Sequence, residues 1–230
     1  MDKMEELCIG VSNINENALL QKEGISNFSN LKADSKQKQT VNIKVNAQGY
    51  LQKSKTNCLE TVNNKVTIIG DSVALGARKK LSEAIPNSQV DTKGNRSILD
   101  GYNLLMEIQN ANQLGEYVVI ALGTNGCDNA DLYVEKIISD IDQGHRLIFV
   151  TPFDGHWNSS WRSYKTMQYL HEIRDKYPFV TIADWFEEIS KQPQLLGADK
   201  THIGGNEVAI NLFTNKIIEG LKTASSKPAK

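Results

Sequence analysis

The chain has 230 residues, enough for one domain with an appended segment or for two small ones. Forty per cent apolar content suffices for a packed core, and a formal net charge of −1 with no basic arm gives no electrostatic reason to expect nucleic acid. No run of about 18 apolar residues reads as a membrane-spanning helix, and the opening Met1-Asp2-Lys3-Met4-Glu5-Glu6 lacks the apolar stretch of a secretory signal.

Residues 1–60 are polar and weakly patterned. Asn, Lys, Gln and Ser dominate residues 13–64, and Ser35-Lys36-Gln37-Lys38-Gln39 has the composition of a solvated linker. Within it Val41-Asn42-Ile43-Lys44-Val45 alternates and suits a short edge strand. We read this part as a leader, partly ordered at most, ahead of a domain over 61–222. Three cysteines, Cys8, Cys58 and Cys127, have no metal-ligand spacing and no CxxC. Cys58 precedes the first core strand and Cys127 follows a later strand's C-terminal end, so no disulfide is expected.

From residue 65 the pattern becomes strands alternating with helices. Val66-Thr67-Ile68-Ile69 runs straight into Gly70-Asp71-Ser72, and Ala74, Ala77, Leu81, Ala84 and Ile85 follow at helical spacing. This reads as buried strand, tight turn, helix. A short strand at Ser88–Thr92 precedes a helix with Ile98, Tyr102, Leu105 and Ile108 on one face. Residues 117–122, Tyr-Val-Val-Ile-Ala-Leu, form a third strand ending at Gly123-Thr124-Asn125-Gly126, and Val134, Ile137, Ile138 and Ile141 mark the next helix. Arg146–Val150 is the fourth strand, stopped by Thr151-Pro152. A loop with Trp157 and Trp161 leads to a helix carrying Tyr164, Met167, Leu170 and Ile173. Residues 179–183 make the fifth strand, and Ala209, Phe213, Ile217 and Leu221 belong to the last helix. Near-continuous apolar strands between amphipathic helices predict a parallel, about five-stranded sheet in a three-layer α/β/α sandwich. Residues 223–230 are small and polar and read as a frayed tail.

Several post-strand loops fall on one sheet edge, the edge where such folds place their chemistry. They carry Ser72, Asn95 within Lys93-Gly94-Asn95-Arg96, and Asn125; Asp199-Lys200-Thr201-His202 precedes the last helix. Acyl transfer needs these residue types. A serine hydroxyl is a poor nucleophile without a base in hydrogen-bond reach. Histidine can be that base, and a carboxylate on its other nitrogen fixes the tautomer. An Asn amide and backbone N–H groups can meet the oxyanion. Each motif alone has an ordinary explanation: a helix cap, a turn, a chance Asp-x-x-His. Their conjunction in this order is the specific signal.

That conjunction resembles the SGNH (GDSL-like) hydrolase superfamily over residues 65–221. The resemblance implies Ser72 as nucleophile, His202 as base, Asp199 as its orienting acid, and an oxyanion hole from the Ser72 amide, the Asn125 side chain and a second-block amide. Thr67-Ile68-Ile69-Gly70-Asp71-Ser72-Val73, residues 91–96, Gly123-Thr124-Asn125-Gly126 and Asp199-x-x-His202-Ile203 look like the extracellular C-terminal domain of OatA-type peptidoglycan O-acetyltransferases. In those proteins a membrane acyltransferase domain supplies acetyl groups, and the SGNH domain passes them to the C6 hydroxyl of N-acetylmuramic acid. The resemblance thus implies a cell-surface setting, a glycan-chain acceptor, no metal and no organic cofactor; a monomer is expected. The second block departs from the superfamily's usual glycine: the residue before Arg96 is Asn95, with Gly94 one step earlier as the alternative amide. Trp157 and Trp161, beside His156, either shape a sugar acceptor site or pack on the core. Asp71 is placed to brace the Ser72 turn, and Arg96 to anchor a neighbouring loop or a carboxylate. The rivals are an SGNH esterase with water as acceptor and a non-catalytic glycan-binding module, which has no need of a full triad.

Overall fold

The computed structural model describes residues 65–156, 158 and 161–230. The leader 1–60, with the strand expected at Val41-Asn42-Ile43-Lys44-Val45, lies outside the described residues, as do Cys8, Cys58 and Trp157. In chain order the elements are β1 (Val66–Gly70), α1 (Ser72–Ala84), β2 (Ser88–Thr92), α2 (Ile98–Asn110), β3 (Tyr117–Ala121), α3 (Ala130–Asp140), β4 (Arg146–Val150), α4 (Arg162–Glu172), β5 (Val180–Ala183), α5 (Trp185–Ser190), a 3-10 turn (Pro193–Leu195) and α6 (Glu207–Ser225).

The five strands form one sheet in the order β2-β1-β3-β4-β5, every pair parallel. Side chains alternate across its faces. Val66, Ile68, Val119, Ala121, Ile148 and Val150 meet α1, α5 and α6 on one side. Ile69, Val118, Ile120, Leu147 and Phe149 meet α2, α3 and α4 on the other. Both faces being covered is why β1, β3 and β4 read as near-continuous apolar runs. The α/β/α sandwich with a parallel five-stranded sheet is therefore present as expected.

The strand order positions the site. From β1 the chain moves to β2 on one side, then returns to β3 on the other. The connections after β1 and β3 therefore leave in opposite directions, opening a crevice at their C-terminal ends. Ser72 follows β1 and Asn125 follows β3. Gly70 lets the chain turn sharply there: a Cβ on it would fall 2.4 Å from the Ala74 Cβ.

The tail differs from its expectation. Helix α6 runs to Ser225, and the segment beyond is pinned rather than frayed. Lys230 Nζ donates to the carbonyls of Ile138 (2.9 Å), Ser139 (2.6 Å) and Ile141 (2.6 Å), where α3 ends. Lys227 Nζ donates to Val180 O at 2.5 Å. A helix leaves its last carbonyls without partners, and a lysine ammonium satisfies them with favourable charge. Composition alone suggested fraying because those acceptors lie some ninety residues away in sequence.

Candidate active site

Ser72 is the first residue of α1, and the helix is capped by Asp71 before it, whose Oδ1 accepts from Val73 N at 3.0 Å. The serine hydroxyl is thus not spent on capping. As an initial helical residue, Ser72 has an amide with no intrahelical acceptor, at the positive end of the helix dipole. Its Oγ lies 2.8 Å from His202 Nε2.

His202 sits in the turn between the 3-10 segment and α6. Its Nδ1 is 2.8 Å from Asp199 Oδ2. A carboxylate only accepts, so Nδ1 carries the proton and Nε2 is left to accept from the Ser72 hydroxyl. The other oxygen of Asp199 organises the turn: Oδ1 accepts from Thr201 N and His202 N, both at 3.0 Å. Those amide bonds, joined by the imidazole, pull the Asp199 carboxyl down to about 2. It is a carboxylate wherever the protein works.

The turn is held from three sides. Ile203, directly after the histidine, is 1 % exposed and lies in the core with α1, keeping the imidazole beside the serine helix. Gly197 N donates to His202 O at 2.7 Å. From the loop after β4, Gly155 N donates to Lys200 O at 2.9 Å, and Asp154 Oδ1 accepts from Thr201 Oγ1 at 3.2 Å. A Cβ on Gly155 would stand 2.6 Å from Lys200 O, so the two loops touch backbone to backbone. No local signal marks Asp154 or Gly155, because the partner of Asp154, Thr201, lies 47 positions on and that of Gly155 is Lys200 beside it.

The two asparagine loops meet nearby. Asn125 is half-buried after the Gly123 turn, whose φ of +113° suits glycine, and its Nδ2 donates to Arg96 O at 3.4 Å. Asn95 is exposed with φ +56°, a left-handed conformation that asparagine tolerates. Gly94 has open space around it and no positive φ, so nothing steric demands glycine there. A recess of about 340 Å³ opens between this loop and α2, walled by Lys93, Asn95, Asn103 and Glu107 over Leu104. Arg96 anchors both a loop and a carboxylate, donating to Gly70 O and to Asp91.

Trp161 precedes α4, half-buried, with its ring stacked on His156 at 6.3 Å between centroids. Cys127 is a free, half-buried thiol whose pKa burial pushes up, the opposite of an activated nucleophile. Among the described residues no cluster of His, Cys, Asp and Glu could hold a metal ion.

Asp71 is the buried charge of the site, 1 % exposed. Its Oδ2 accepts from Thr124 N at 3.3 Å. Burial nevertheless outweighs these bonds and pushes its carboxyl up to about 6 from 3.8. The folded protein therefore holds this proton more tightly than the unfolded chain. Between these two values it binds more protons than the unfolded state, so the Asp71 contribution rises as pH falls from 6 toward 4. Above pH 6 the buried carboxylate costs up to about 3 kcal/mol. In denaturant titrations, the stability difference between wild type and Asp71→Asn should move in favour of wild type as pH drops from 7 to 4. A difference that stays constant over that range would mean Asp71 does not titrate there.

No protein-family model matches the chain. Solved and curated proteins do. The C-terminal catalytic domain of peptidoglycan O-acetyltransferase A (OatA) from Streptococcus pneumoniae, solved with a methylsulfonyl adduct, shares 30 % identity and superposes with a TM-score of 0.69, covering 73 % of this chain and 97 % of that domain. YrhL of Bacillus subtilis (strain 168) is 27 % identical over 139 residues, 60 % of this chain and 21 % of that protein. Peptidoglycan O-acetyltransferase OatA of Listeria monocytogenes serovar 1/2a is 25 % identical over 158 residues, 68 % of this chain and 24 % of that protein. The chain spans less than a quarter of the length of these two curated relatives.

Proposed function

The chain belongs to the OatA-type catalytic domains of the SGNH (GDSL-like) hydrolase superfamily, and from that membership we propose that it is a serine-dependent O-acetyltransferase delivering acetyl to the C6 hydroxyl of N-acetylmuramic acid in peptidoglycan. The observation that carries the chemistry is the pair of hydrogen bonds through one imidazole, Ser72 Oγ to His202 Nε2 and His202 Nδ1 to Asp199 Oδ2, both 2.8 Å.

In this reading His202 Nε2 takes the Ser72 proton as Oγ attacks the donor carbonyl. The developing oxyanion is met by the Ser72 amide, the Asn95 amide and one N–H of Asn125. When the intermediate collapses, His202 returns the proton to the leaving group and acetyl-Ser72 remains. The sugar hydroxyl then attacks that ester, giving its proton to Nε2; the second collapse restores the serine and releases the O-acetylated sugar. Asp199 stays ionised throughout and stabilises the imidazolium. The donor is an acetyl group supplied by a membrane acyltransferase domain, which puts the reaction on the outer side of the membrane. Among the described residues no helix is long and apolar enough to cross one.

One observation favours a competing outcome. The His202 side chain is 46 % exposed and Ser72 is only half-buried, so water reaches the acyl-enzyme and hydrolysis competes with transfer. With an aryl acetate as donor and chitooligosaccharide or muropeptide as acceptor, mass spectrometry should find an O-acetylated sugar whose yield rises with acceptor. Free acetate as the only product at every acceptor concentration would make the domain an esterase.

A further inference from the structure

Three loops over the sheet edge are tied into one closed circuit, and Arg96 joins it at two points. Its side chain is buried, 8 % exposed, although no step of the proposed chemistry touches it. Nη1 donates to Gly70 O at 3.0 Å and to Asp91 O at 2.8 Å; Nη2 donates to Asp91 Oδ1 at 2.6 Å. Gly70 ends β1, two residues before the nucleophile. The main-chain oxygen of Arg96 accepts from Asn125 Nδ2, while Thr124 N, one residue earlier, donates to Asp71 Oδ2. The path Gly70, Asp71, Thr124, Asn125, Arg96 therefore returns to Gly70 through covalent and hydrogen bonds alone.

This closure bears on the direction of one amide. The Asn125 carboxamide carries two N–H bonds in a plane. With one committed to Arg96 O, the other has a fixed heading. Without that acceptor the group can rotate about a broad terminal torsion, or flip to present oxygen where negative charge develops. At 3.4 Å the bond is long and contributes little stability, yet it still distinguishes the donor end of the amide from the acceptor end.

We propose that Arg96 is a positioning residue for acyl transfer: its guanidinium, clamped to Gly70 and Asp91, holds the Arg96 carbonyl where it turns the Asn125 amide toward the oxyanion. This rests on the reading of Ser72 as nucleophile and Asn125 as oxyanion donor. A lysine has one compact donor group in place of a planar fork, so it cannot bridge both partners in the same geometry.

The test is a double-mutant cycle on aryl-acetate turnover with wild type, Arg96→Lys, Asn125→Ala and the double variant. Arg96→Lys should lower kcat by about 10- to 100-fold, the cost of a small misplacement, with KM changed by less than about threefold. The double variant should be no slower than Asn125→Ala, because the amide that Arg96 directs is already gone. Losses that multiply, or an Arg96→Lys variant with wild-type kcat, overturn the proposal. Should Arg96→Lys fail to fold, Asp91→Ala enters the same cycle: it removes the contact to Nη2 and leaves both carbonyls that Nη1 uses. A Ser72→Ala control as fast as wild type would overturn the underlying reading as well; a Ser72-dependent rate with multiplying losses overturns the role of Arg96 alone.

Discussion

Ser72→Ala is expected to reduce acetate release from an activated aryl acetate by about 10⁴-fold or more while leaving the fold intact. The size follows from the way such residues act as a unit: removing the nucleophile leaves only what oxyanion donors and binding supply. The fold should survive because of where Ser72 sits. Asp71, not Ser72, caps α1, so the capping bond to Val73 N is untouched. Alanine at the first helical position is a good helix former. Among the described residues the bond lost is that from Oγ to His202 Nε2, between groups in contact with solvent. Far-UV circular dichroism and the thermal midpoint should match wild type, and a small serine-directed sulfonyl reagent should add mass to wild type but not to the variant. Undiminished turnover would remove Ser72 from the mechanism.

The same geometry explains why part of this protein could be read from its sequence. β1, β3 and β4 are covered on both faces, so their apolar runs have no polar interruption except Thr67, whose hydroxyl accepts from Gly115 N at 2.9 Å. Helices α1, α2, α3, α4 and α6 each bury one stripe, and periodicity finds such stripes. Helix α5 has six residues, too few for a period; its one local signal is Asp184, which caps the helix by accepting from Glu187 N. In the candidate site, Ser72, Asn125 and the Asp199–His202 pair stand out in the sequence because each falls in a short motif with a stated chemical use, and the fold brings Ser72 Oγ to His202 Nε2 and His202 Nδ1 to Asp199 Oδ2. For Arg96 the reading reached an anchor to a loop or a carboxylate, but its actual partners, like the roles of Asp154 and Gly155, depend on register. Which carbonyl a guanidinium meets is decided by the pairing of Gly70 with Thr92 across the sheet, and no spacing within one loop encodes that. Asp71 falls between: its neighbourhood to Ser72 was visible, but its bond to Thr124, 53 residues on, appears only once β1 and β3 lie side by side.

Asn125→Ala should lower kcat for aryl-acetate turnover by about 10²- to 10³-fold with KM nearly unchanged. An oxyanion donor acts on charge that exists only after the nucleophile has attacked, so its loss falls on the chemical step rather than on ground-state binding. The substitution disturbs little else. Among the described residues the Asn125 side chain makes one long hydrogen bond, to Arg96 O, and the conformation of its loop is set by Gly123 and by the bond from Thr124 N to Asp71, neither of which the change touches. Asn125→Asp sharpens the test, because it keeps the shape while exchanging the N–H donors for a carboxylate. A negative group facing a developing oxyanion should reduce kcat further than alanine does, whereas a residue acting only through size or packing would tolerate aspartate at least as well. A loss confined to KM in the alanine variant, or an aspartate variant faster than alanine, would take Asn125 out of the oxyanion hole and leave the backbone amides of Ser72 and Asn95 to stabilise the charge alone.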